Sequence, residues 1–200
     1  MKKILFVLAF ACCVLAMSAQ ETIKVKYKGN KPTISDFAEA IFASIANDDE
    51  CEINESLNAM ANSYALHKKG MALPADSKLT IDQKNGYIVY ETRYEEHLLR
   101  VEMCYWNDAD QKHKLFAYSV TSFANGVYSP GQYDGVSTYR YTNATKAMTW
   151  QHNDLHGVDN NANHVSYELP RTGKDITAKT WLKNGTVKRK TIKWNGHNFK

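Results

Sequence analysis

At 200 residues and a formal net charge of +4, the chain can bury one sizeable core but lacks the strong positive field that a nucleic-acid partner needs. Aromatic residues make up 12% of it and prolines number only 4, which excludes a disordered chain and suits a half-buried sheet.

The first element is an address. Lys2-Lys3, an apolar stretch from Ile4 to Met17 and small residues Ser18-Ala19 have the layout of a secretory signal peptide over residues 1–19. The expectation is an exported protein, periplasmic or extracellular, whose mature form begins near Ala19 or Gln20. Loss of Lys2 and Lys3 brings the charge to about +2. A membrane span needs roughly 20 apolar residues, and no other segment approaches that, so an integral membrane protein is not expected. Cys12 is a poor lipidation site, because apolar Val14 to Met17 follow where a polar tether belongs.

Thr22–Lys28 alternates, with Ile23, Val25 and Tyr27 on one face and Lys24, Lys26 and Lys28 on the other, which predicts a strand. Ser35 is the expected N-cap of a helix running to about Ala46, with Ile34, Phe37, Ala38, Ile41, Phe42 and Ile45 as its apolar stripe. A second helix follows on Ile53, Leu57, Met60, Ala61 and Tyr64, with Gly70 as its stop.

From Lys78 the period changes to two. Strands are predicted at 79–82, 87–94, 98–106, 115–123, 136–141, 147–151, 165–169, 176–182 and 187–194. Asn85-Gly86, Asn125-Gly126 and Asn184-Gly185 fall at junctions, and Asn-Gly suits the tight type I′ hairpin turn, most clearly at Asn184-Gly185. Short connections make a predominantly antiparallel β-meander of about eight or nine strands, which strand number alone allows to stay open or to close into a barrel. The fold class is therefore α+β: an N-terminal strand and a helical pair packed on one curved sheet, in a single domain over residues 20–200.

Three segments together carry a resemblance. They are Ile81-Asp82-Gln83-Lys84-Asn85-Gly86-Tyr87, Met103-Cys104-Tyr105-Trp106-Asn107-Asp108-Ala109-Asp110, and the tail from Leu169-Pro170-Arg171 to Asn198-Phe199. Over Leu79 to Phe199 the chain resembles uncharacterised secreted proteins of Bacteroidetes. That resemblance implies export from a Gram-negative cell; no activity or site residue comes with it.

Chemistry has several candidate seats. His152, Asp154 and His156 share a face if extended, and their N and O donors with a water suit a borderline metal; a solvated Asn- and Asp-rich loop explains the same residues. Tyr139, Tyr141 and Trp150 on strands beside that loop form a candidate aromatic platform for a sugar ring, or else core. Cys51 and Cys104 are a candidate disulfide, worth roughly 4 kcal/mol in the chain-entropy model, or two buried thiols. Glu91, Glu95, Glu96 and Glu102 are candidate carboxylates for an acid/base pair of the glycosidase kind; for Glu91, on one strand face with Val89 and Arg93, a salt bridge or a solvated position is the simpler reading. Lysines on the last strand suit edge protection. No nucleophile elbow, zinc helix, phosphate loop or paired CxxC is present, and no cofactor is expected. The expected function is an exported non-catalytic binding or accessory protein of the envelope, glycan-binding through aromatic-rich strands and loops. The alternatives are an envelope protein-interaction module, an inhibitor or assembly factor, and behind it a glycan hydrolase.

Overall fold

The computed structural model describes residues 22–46, 55–131, 134–151, 155 and 164–200. The signal segment lies outside the described residues, as do Cys51, His152, Asp154 and His156. After strand β1 (Thr22–Lys24) come helices α1 (Ile34–Ala46) and α2 (Glu55–Lys68). The rest is strand: β2 (Ser77–Asp82), β3 (Tyr87–Tyr94), β4 (His97–Asn107), β5 (His113–Ala124), β6 (Val127–Tyr128), β7 (Gly135–Thr142) and β8 (Ala147–Gln151). Last are β9 (Val165–Glu168), β10 (Ile176–Trp181) and β11 (Val187–Ile192). The α+β class stands.

Helix α1 starts earlier than its expected cap. Thr33, not Ser35, caps it: the Asp36 N–H donates to Thr33 Oγ1 at 3.4 Å, and Asp36 Oδ2 accepts from the Thr33 N–H at 2.7 Å. This is a reciprocal capping box with Asp at its acidic position. The early start keeps Ile34 inside the helix, where it is fully buried, and leaves the Ser35 hydroxyl to accept from Gln83. Helix α2 stops where expected. Gly70 takes φ +67°, its N–H reaches His67 O and the Met71 N–H reaches Leu66 O, both at 3.0 Å, which is the Schellman pattern.

The main sheet has eight strands in the order β1-β8-β7-β5-β4-β3-β2, with β6 folded onto β5, and every pairing is antiparallel. Because β1 and β2 occupy opposite edges, α1 and α2 carry the chain across one face. The sheet is open. The expectation of one continuous meander needs correction: β9, β10 and β11 form a separate three-stranded sheet. The cause lies in the main sheet, both of whose faces are apolar. One carries Ile88, Val101, Met103, Phe116 and Tyr141 toward the helices. The other carries Tyr87, Cys104, Trp106, Leu115 and Ala117, and Leu169, Ile176, Ala178 and Ile192 of the small-sheet layer bury it. The second face is thus largely covered. The C-terminal tail joins this layer through a nearly buried Asp108, which accepts from Arg140 Nη1 at 2.7 Å and lies 2.6 Å from His197 Nδ1.

The turns correct one expectation. Asn125 (φ 52°) and Gly126 (φ 75°) form the two-residue turn with positive φ at both positions that type I′ requires. At Asn184-Gly185 only the glycine is left-handed, and the Leu182 N–H reaches Thr186 O, so the loop is wider than a type I′ turn. Gly86 is needed twice over, for its φ of +66° and because a Cβ there would lie 2.7 Å from the Tyr105 ring. The tight β3–β4 turn holds Glu95 at φ 52°, which costs a side chain energy that glycine avoids. Glu95→Gly is therefore expected to stabilise the protein by about 0.5–1 kcal/mol, read as a higher midpoint in urea; a fall in the midpoint would show that the turn is not strained.

Candidate functional site

The cavity that stands out opens at the end of the helix-covered face, where α1 no longer shields the sheet. Its volume is about 530 Å³, within the usual range for a small-molecule site. The connector between β1 and α1 supplies Tyr27, Asn30, Lys31 and Pro32; the ends of β4 and β5 supply Tyr105, Asn107, His113 and Lys114; Gln111 and Asn143 come from neighbouring turns.

Register places these groups. Lys114 pairs with Asn107 across β4 and with Tyr141 across β7. By the two-residue period it shares a face with Phe116 and Val120, whose side chains are core. A lysine thus stands at an inward position, only 7% exposed. Its ammonium donates to Asn107 Oδ1 and sits 5.0 Å from the centre of the Tyr105 ring, a cation–π contact. Burial pushes its pKa down, and the charge of Lys31 pushes the same way.

The tyrosines are fixed from behind. The Tyr141 hydroxyl donates to Tyr27 Oη at 3.3 Å, and Lys146 lies 5.0 Å from the Tyr27 ring centre. Tyr105 rests against Phe37 at 5.4 Å and against the backbone of Gly86. At the rim, Asp110 lies 2.5 Å from His113 Nδ1 and accepts from the N–H groups of Lys112 and His113; the His113 bond leads in holding its carboxyl down at about 2.

A second cavity of about 420 Å³ lies over β2, β3 and β4 beside the small sheet, and all of its charged lining residues except exposed Lys78 are in ion pairs. Glu102, buried, accepts from Tyr87 Oη, from Arg100 Nη2 at 2.8 Å and from the Leu169 N–H at 3.2 Å. Arg100 also pairs with Glu91, Arg171 with Asp82 at 2.9 Å, and Lys179 with Glu168. Two of the carboxylates singled out from sequence, Glu91 and Glu102, therefore do come together, with Arg100 between them. Burial, then the Glu102 charge, pushes the Tyr87 hydroxyl far above its ordinary range. This is a closed network that braces the sheet.

The residues expected to bind from sequence are placed as follows. Tyr141 is fully enclosed and meets the first cavity only through the Tyr27 hydroxyl. Tyr139 is half-buried against Phe116 and Tyr118, on the helix-covered face. Trp150 pairs with Tyr139 across β7 and β8 and is 43% exposed. His152, Asp154 and His156 lie outside the described residues, among which no three His, Cys, Asp or Glu gather as a metal site. Cys104 carries a free, buried thiol whose pKa burial pushes up. Among the described residues no helix is long and apolar enough to cross a membrane.

Sequence reading missed Lys114, Lys31, Tyr27, Tyr105 and Asn107 as a group. One signal was available: a lysine in phase with Phe116, Tyr118 and Val120, where an apolar residue belongs. Comparison of the chain with known protein families, with characterised proteins and with solved structures gives no match.

Proposed function

We propose that this chain is an exported, non-catalytic binding protein of the cell envelope whose ligand is a glycan, held in the cavity of Tyr27, Tyr105, Asn107 and Lys114. Export rests on the signal-like segment at 1–19. The single observation behind the binding reading is the lining itself. Two tyrosine rings stand beside the amides of Asn30, Asn107, Gln111 and Asn143, in an open cavity about 530 Å³ in volume. Aromatic faces match the apolar faces of sugar rings, and amides both donate to and accept from hydroxyls. A rigid pocket of this kind binds without needing a nucleophile or a poised acid, and its rim carboxylate, Asp110, is occupied by His113.

The test is thermal melting of the purified protein against a plate of oligosaccharides. A ligand at 100 times its dissociation constant should add about 2.7 kcal/mol and raise the midpoint by several degrees. Asn30→Ala should reduce that shift while leaving the unliganded midpoint within about 1 °C, because its side chain is exposed on the cavity wall. No shift with any sugar would sink the reading.

A further inference from the structure

Among the described residues every half-buried lysine and arginine is ion-paired, and the one fully buried cation is not. Arg100 meets Glu91 and Glu102, Arg140 meets Asp108, and Lys179 meets Glu168; even exposed Lys68 and Lys193 have Glu39 and Asp175. Lys114 is more buried than any of these cations, yet among the described residues no carboxylate lies within ion-pair distance of it. Its polar partner is a neutral amide oxygen, that of Asn107. Lys31, the neighbour whose charge it feels most, is a second cation on the same cavity wall, and among the described residues it has no ion-pair partner either.

Taking an ammonium out of water without a counter-charge is costly, and a like charge nearby adds to the cost. A folded protein retains such an arrangement at the mouth of an open cavity when something that visits the cavity carries the missing charge. We propose that the ligand of this cavity is an acidic sugar, a uronate, whose carboxylate lies between Lys114 and Lys31 while its ring faces Tyr27 and Tyr105. This rests on the glycan reading of the same cavity and names the class of glycan. The cavity walls suit it. They offer cations, amides and phenols, and the lining residues include no arginine of the kind that forks onto phosphate. Lys114 then acts as a fixed, desolvated charge that gives specificity, and exposed Lys31 as a solvent-side charge that salt can screen.

The experiment is calorimetric titration of the purified protein with digalacturonate and, separately, with its neutral dimethyl ester, which keeps the rings and hydroxyls. The acid is expected to bind about tenfold to a hundredfold more tightly than the ester, the range of a charge-assisted hydrogen bond. Lys114→Met should remove most of that preference while leaving the melting midpoint unchanged or higher, since replacing an uncompensated buried charge by an apolar chain of like size relieves its desolvation. Lys31→Ala, in an exposed connector, should weaken the acid severalfold and leave the ester unaffected; it carries the test should the Lys114 variant not fold.

Each result decides something. Equal affinity for acid and ester overturns the uronate and leaves a glycan site standing. Binding of neither, when neutral oligosaccharides do bind, also overturns it alone. Sulfate binding as tightly as digalacturonate would reveal a bare anion site and overturn both readings. Loss of acid preference in the two lysine variants, with the ester unaffected, supports the proposal.

Discussion

Phe37→Ala is expected to be the most damaging substitution in the helix layer, at about 3–5 kcal/mol. The ring is fully buried and lies where α1 meets the sheet. It packs on Tyr105 at 5.4 Å, stacks on Phe116 at 5.6 Å and meets Tyr141 edge-on at 5.2 Å. Truncation loses the transfer energy of the ring and leaves a cavity that three large aromatic neighbours, anchored on β4, β5 and β7, cannot collapse to fill. Against a typical total of 5–15 kcal/mol that is a large share. Urea unfolding should show a lower midpoint with an unchanged slope, and thermal melting a drop of about 10 °C. Phe37→Leu, which refills most of the space, should cost less than half as much. A loss below about 1 kcal/mol for the alanine variant would mean that α1 does not dock as described. The site depends on the same contact, because Phe37 backs Tyr105, one wall of the cavity.

The other large effect belongs to the opposite face. Glu102→Ala is expected to cost about 2–4 kcal/mol, since it strands the buried Tyr87 hydroxyl and the Leu169 N–H and takes from Arg100 its more deeply buried partner. The figure sits at the lower end for a broken buried pair, because the Arg100 side chain is 31% exposed and keeps Glu91. Glu102→Gln keeps one acceptor oxygen where the carboxylate has two, enough for Tyr87 or for the Leu169 N–H but not for both, and should cost less than the alanine change. Denaturant titration of both variants measures what one retained acceptor is worth. Equal losses would show that the retained oxygen contributes nothing, and a neutral Glu102→Ala would show that the small sheet does not depend on this network. Neither variant touches the Lys114 cavity, so sugar binding by the folded fraction should be unchanged.

Much of the fold is legible in the residues because local physics dictates it. The stripe from Ile34 to Ile45 has one solution, a helix with one buried face, and the observed α1 ends at Ala46 as that stripe requires. The alternation of Tyr87 to Tyr94 and of Ala147 to Gln151 reproduces β3 and β8 to the residue. Gly70 ends α2 because only glycine is at ease at its positive φ. Even the orientation of Cys104, away from Val101 and Met103, follows from strand phase.

The site was not legible, and the reason is distance along the chain. Lys31 and Lys114 are brought onto one wall by β1 pairing with β8, at the far edge from β2, which obliges the connector to cross the end of β5. No local pattern encodes that crossing. Likewise nothing in the alternation of 176–192 says that these strands stack over the main sheet instead of extending it; that follows from the apolar second face of Tyr87, Trp106 and Leu115 needing cover. By itself the sequence determined the elements, their facing residues and most of their ends, since each depends on neighbours within a turn or a strand. Only the tertiary structure decided that the layers are three, that Glu102 is matched and that Lys114 is not. Charge compensation is a property of which chains meet in space.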